Sequence, residues 1–111
     1  MTRDIVDRIE LDAQGRLHVV PRTETFPFIW REAMEVHWNF ERGSLYSPSP
    51  QTWSYGRWLV HILSAARGQG SHLEVTAETE WVHMEPALQA QMLACLASST
   101  GTSTSSQEAR K

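Results

Sequence analysis

Residues 55–66 read Tyr55-Gly56-Arg57-Trp58-Leu59-Val60-His61-Ile62-Leu63-Ser64-Ala65-Ala66, and their period decides the fold class. Tyr55, Trp58, Leu59, Ile62, Leu63 and Ala66 recur at intervals of three and four, which sets them on one face of an α-helix. Ser49 is a suitable helix N-cap, Pro50 suits a first helical position, and Gly68 and Gly70 supply a stop. The pattern predicts a helix over residues 50–67, roughly 27 Å long at the standard rise. Its other stripe is polar: Ser54, Arg57, His61 and Ser64.

Upstream the period is two. Ile5, Asp7, Ile9 and Leu11 alternate with Val6, Arg8, Glu10 and Asp12; apolar residues dominate the odd positions, so the segment predicts a strand with that one face buried. Asp12-Ala13-Gln14-Gly15 follows; Asp opens tight turns, and glycine supplies the positive φ that closes a hairpin. The returning strand, Arg16 to Val20, carries Leu17 and Val19 inward and ends at Pro21. Pro27 suits the start of a short helix through Met34. Met34, Val36 and Trp38 then alternate with Glu35, His37 and Asn39 as a third strand, and Ser44 to Ser47 form a fourth after a turn at 39–43.

Downstream, Leu73, Val75 and Ala77 alternate as a fifth strand, while residues 79–84 fit neither period. Pro86 opens a last helix with Leu88, Met92, Cys95 and Leu96 on one face. The fold class is therefore α+β: a small antiparallel sheet of about five strands built from hairpins, packed on one long amphipathic helix with a second C-terminal helix. Residues 1–97 form one domain. The Ser/Thr-rich stretch 98–111 lacks the apolar content to offset its ordering entropy and is expected to be disordered.

The totals exclude several functions. Net charge is −3 and the arginines are scattered, so the clustered positive charge that binds nucleic acid is missing. No apolar stretch approaches the roughly 20 residues of a membrane span, and no apolar leader is visible, so a cytoplasmic protein is expected. Cys95, the one cysteine, builds neither an intrachain disulfide nor a thiolate metal site alone. The five histidines show no metal-ligand spacing, and Gly68-Gln69-Gly70 follows a helix where a phosphate loop must open one. No metal, cofactor or nucleophile is predicted.

Of the ten aromatic residues, all but Trp81 lie between positions 26 and 58. Each buries on the order of 150–250 Å², so nine rings exceed what one small core absorbs. The surplus points to a pocket or a subunit interface, for which the candidates are Trp30, His37, Trp38, Trp53, Arg57, Trp58 and His61. Trp53 stands out because it falls off the helical stripe. The blander alternative for each ring is ordinary core.

Four segments, Leu11-Asp12-Ala13-Gln14-Gly15-Arg16-Leu17, Phe28-Ile29-Trp30-Arg31-Glu32-Ala33, Leu45-Tyr46-Ser47-Pro48 and Trp53-Ser54-Tyr55-Gly56-Arg57-Trp58, resemble a family of small bacterial proteins carried on integron gene cassettes of environmental DNA. The resemblance covers residues 5–97 and implies a compact α+β fold and homo-oligomers. It brings no catalytic residues, and the tail lies outside it. The expected function is a homo-oligomeric binding or interaction module with the chain itself, a small molecule or another protein as partner. The competing expectation is a small enzyme with a His/Glu/Arg pocket, using His37 and His61 as acid–base groups.

Overall fold

The computed structural model describes residues 2–33, 35–47 and 53–100. The elements run β1 (Thr2–Leu11), β2 (Leu17–Pro21), a 3-10 turn (Ile29–Arg31), β3 (His37–Asn39), β4 (Ser44–Tyr46), α1 (Tyr55–Gly68), β5 (Ser71–Glu74), β6 (Glu80–Val82) and α2 (Pro86–Thr100). The class is α+β. Six strands form one sheet in the order β3-β4-β2-β1-β5, with β6 also on β1.

The β1–β2 hairpin forms on the turn the sequence predicts. The Gly15 N–H donates to the Asp12 carbonyl at 3.0 Å and Gly15 adopts φ +79°. The second turn follows the same logic: Gly43 takes φ +66°, and the Asn39 side chain accepts the Arg42 N–H at 2.9 Å.

The sheet is mixed, where hairpins alone predict an antiparallel one. β5 pairs in parallel with the first half of β1 (Thr2 beside Ser71), and β6 pairs in parallel with its second half (Arg8 beside Glu80). Between these halves the β1–β2 register shifts at Val6/Arg8. A bulge of this kind inserts one residue and changes which side chains face inward. It corrects the odd-position expectation. Asp4, Val6 and Ile9 are the buried residues of β1, and Asp7 is exposed.

Two neighbouring rows of the sheet have opposite character. Cross-strand partners share a face, and the pairing sets Trp81, Ile9, Val19, Leu45 and Trp38 side by side. Ile9, Val19 and Leu45 are fully buried in one core with Trp58, Leu59, Ile62 and Ala66 of α1. The adjacent row reads Val82, Glu10, His18, Tyr46, His37 and faces the other way.

α1 begins later than the 50–67 span. Its N-cap is Ser54, whose hydroxyl accepts the Arg57 N–H at 3.2 Å. Ser54 is thus a cap and not a member of the polar stripe, while Ser49 and Pro50 lie outside the described residues. α2 packs on α1: Met92 is buried in the core, Leu88 and Leu96 pack partly buried against that core, and Cys95 lies against Gly56. Its backbone stays helical through Thr100, past the predicted end near Leu96; residues 101–111 lie outside the described ones. Residues 80–82, which matched neither period, form β6. Among the described residues no helix is long and apolar enough to cross a membrane.

Candidate functional site

Trp53 precedes the capped turn of α1, and its ring lies against side chains of the first two helical turns. The Trp53 and Trp58 ring centroids are 4.7 Å apart, and His61 meets Trp53 edge-on at 5.2 Å and Trp58 at 5.7 Å. The Arg57 guanidinium lies 4.2 Å from the Trp53 ring centre, within cation–π range. Helical spacing explains the set: residues 57 and 61, and 58 and 61, are one turn apart. Trp58 is buried, Trp53 and His61 are half-buried and Arg57 is exposed.

The Trp58 Nε1 atom is buried and has no hydrogen-bond partner. Indole nitrogen only donates. A buried donor left unpaired among the described residues is uncommon.

The opposite sheet face holds a polar network. The Asp12 carboxylate accepts the Gln14 and Arg16 N–H groups at 2.9 Å, Arg16 Nε at 2.8 Å and His18 Nε2 at 2.8 Å. Because an ionised Asp12 only accepts, His18 carries its proton on Nε2, and its Nδ1 accepts from the Ser44 hydroxyl at 2.8 Å. Tyr46 stacks on His18 at 5.2 Å, and Arg16 lies 5.3 Å from the Tyr46 ring centre. Burial pushes the His18 pKa down, and the charge of Arg42 adds to this against the Asp12 hydrogen bond. Burial acts to raise the Asp12 pKa, but hydrogen bonds from His18, Arg16 and Gln14 outweigh it and hold the carboxyl well below its ordinary value.

Ser44, His18 and Asp12 follow the bonding order of a hydrolytic triad. They are not one in function: Ser44 is 0% exposed, so its oxygen has no path to a substrate carbonyl. The network instead ties the first hairpin turn to β4, and the Tyr55 hydroxyl joins α1 to the same turn by donating to the Gly15 carbonyl at 2.8 Å.

The predicted candidates therefore divide. Trp53, Arg57, Trp58 and His61 come together at the start of α1. Trp38 lies on the helix-facing side of the sheet, edge-on to Phe26 at 6.0 Å. His37 lies on the far face beside Tyr46 at 5.4 Å, so the sheet separates it from His61 and the two do not form one acid–base site. Trp30 is exposed on the 3-10 turn, with Arg31 lying 5.3 Å from its ring centre and 4.9 Å from that of Phe28. Among the described residues no three His, Cys, Asp or Glu side chains are grouped as a metal ion requires. Sequence reasoning missed His18, Asp12 and Glu10. The one available signal was parity, since Glu10, Asp12 and His18 all belong to the even positions of the hairpin.

The sequence profile of the family described as Integron Cassette Protein Hfx_Cass5 matches residues 4–79, more than half the chain. The chain belongs to the Hfx_Cass5 integron cassette protein family. A solved structure described as "Structure from the mobile metagenome of North West Arm Sewage Outfall: Integron Cassette Protein Hfx_Cass5" is 44% identical, with 87% of this chain and 98% of that chain covered and a TM-score of 0.45. Comparison with curated proteins gives no match. The span matched by the Hfx_Cass5 profile contains the whole Trp53–His61 cluster and the Asp12–His18–Ser44 network. It ends at Thr79, before β6 and α2.

Proposed function

We propose that this cassette protein is a small cytoplasmic, homo-oligomeric binding module whose recognition surface is its aromatic surplus. The observation that carries the reading is where the nine rings between positions 26 and 58 lie. Phe26 and Trp58 alone are buried; Phe28, Trp30 and Phe40 remain 52%, 55% and 78% exposed. Exposed aromatic side chains beside an arginine are characteristic of interface centres, where Trp, Phe and Arg are enriched. The Phe28–Arg31–Trp30 group supplies the subunit contact, and the half-buried Trp53 and His61 with the exposed Arg57 supply the ligand or partner contact.

Sedimentation of the full chain across micromolar concentrations tests the first part. The expected result is a self-associating species that a Phe28→Ser, Trp30→Ser double variant dissociates, at a cost of about tenfold or more in affinity. A monomer at every concentration, with the variant indistinguishable from it, overturns the reading.

A further inference from the structure

At the ends of β1 and β6 three cationic or protonatable groups surround one carboxylate. Arg42 Nη1 lies 3.0 Å and Arg8 Nε 3.4 Å from Glu10 Oε1, and His83 Nδ1 lies 3.8 Å from Oε2. The Glu10 side chain is largely buried. Arg8, Glu10 and Arg42 border an open cavity of about 450 Å³, lined also by Asn39, Glu41 and Val82; His83 stands outside its lining, on the far oxygen of Glu10. That volume falls in the range of small-molecule sites.

Donors exceed acceptors here. A guanidinium offers five N–H groups, and a carboxylate has about four lone-pair positions. Arg8 Nε shows the consequence: despite its closeness to Glu10 it is buried without a hydrogen bond. Charge contact without hydrogen-bond geometry leaves that N–H open to another oxygen.

Two backbone features hold the cations in place. The Asn39 side chain accepts the Arg42 N–H at 2.9 Å, and Gly43 closes that turn with φ +66°. His83 directly follows β6 and is the one non-glycine residue with positive φ, +55°, among the described residues. Histidine enters this conformation more readily than most side chains, but it is still uncommon and worth a functional explanation. Here it sets the imidazole beside Glu10.

We propose that Arg8, Arg42 and His83, arranged around Glu10, bind a small oxyanion: the carboxylate or phosphate group of a small molecule. Guanidinium forks match both groups. Glu10 and Glu41 offset much of the positive charge, so recognition rests on hydrogen-bond geometry.

The test follows the arginine Nε–H resonances of the full chain in solution while inorganic phosphate, and separately acetate, is added at constant ionic strength with chloride as balance. Saturable shifts at Arg8 and Arg42 are expected. Saturation by phosphate alone identifies a phosphate site, and saturation by acetate identifies a carboxylate site. Arg42→Gln weakens binding about tenfold, and Glu10→Gln tightens it by a similar factor by removing the competing carboxylate. His83→Gly keeps the backbone conformation, removes the imidazole and also weakens binding. Non-saturating shifts with both anions, or equal affinity in the Arg42→Gln and His83→Gly proteins and the parent, overturn the proposal.

Discussion

The Thr79 hydroxyl donates to the Val6 carbonyl at 2.7 Å, across 73 residues of chain and at the point where β1 breaks register with β2. The same oxygen accepts the Thr76 N–H at 3.0 Å. Thr79 is buried. It therefore gives the Val6 carbonyl a partner at the bulge and anchors the loop joining β5 to β6.

Thr79→Val keeps the shape and removes the hydroxyl. The Val6 carbonyl and the Thr76 N–H lose their partner, so the variant is expected to be about 1–3 kcal/mol less stable. Thermal unfolding checks this, since each kcal/mol moves the midpoint by about 4–8 °C in domains near this size. An unchanged midpoint would show that the bulge does not depend on Thr79.

At Gly56 α1 packs closely against Cys95 of α2. A Cβ built there would lie 2.5 Å from Cys95 Sγ and 3.1 Å from Cys95 Cβ. Overpacking of this kind costs about 1–3 kcal/mol, the expected penalty for Gly56→Ala. Adding Cys95→Ala removes the sulfur but keeps the nearer-limit carbon contact, so the double variant recovers part of the loss. Denaturant unfolding of the four proteins in a double-mutant cycle measures the coupling; strict additivity would refute the contact.

Ser54 caps α1. Ser54→Ala is expected to cost about 1 kcal/mol, and Ser54→Gly only a few tenths. Urea unfolding distinguishes them. Equal stability of all three proteins would mean that the helix starts elsewhere.

Acid should unfold the protein through the hairpin network. The folded state holds His18 below its ordinary value of 6.5, so folding favours the neutral ring. The unfolded chain takes up the His18 proton first as pH falls, and stability that is full above 6.5 declines below it. The folded state also depresses Asp12 below its ordinary 3.8, so a second loss begins as pH falls past that value. The groups facing His18 are Asp12, Ser44, Tyr46, Arg16 and Arg42. Stability measured by urea unfolding from pH 8 to pH 3 should therefore fall in the acid range. A His18→Gln variant should lose the part of the slope just below pH 6.5 and show a reduced part below 3.8, where the Arg16 and Gln14 hydrogen bonds alone still hold Asp12 down. A flat wild-type profile between pH 7 and pH 5 would contradict this.

What was legible in the sequence is what neighbours along the chain decide. The Asp12–Gly15 turn, the placing of Leu17 and Val19 in the core, the stripe of Trp58, Leu59 and Ile62, and the presence of two helices all follow from local period and turn chemistry. So did the grouping of Arg57, Trp58 and His61, because one helical turn sets them side by side. Tertiary structure decided the rest. The parallel pairing of β5 and β6 with β1 depends on a crossover through α1, and no local signal encodes it. One inserted residue between Val6 and Arg8 reversed the inward face of half a strand, because side-chain facing has period two and is lost by a shift of one. Glu10, Arg42 and His83 come from three separate segments and meet only once the sheet is assembled. Periodicity records which side chains share an element; only the packed sheet determines which charges share a cavity.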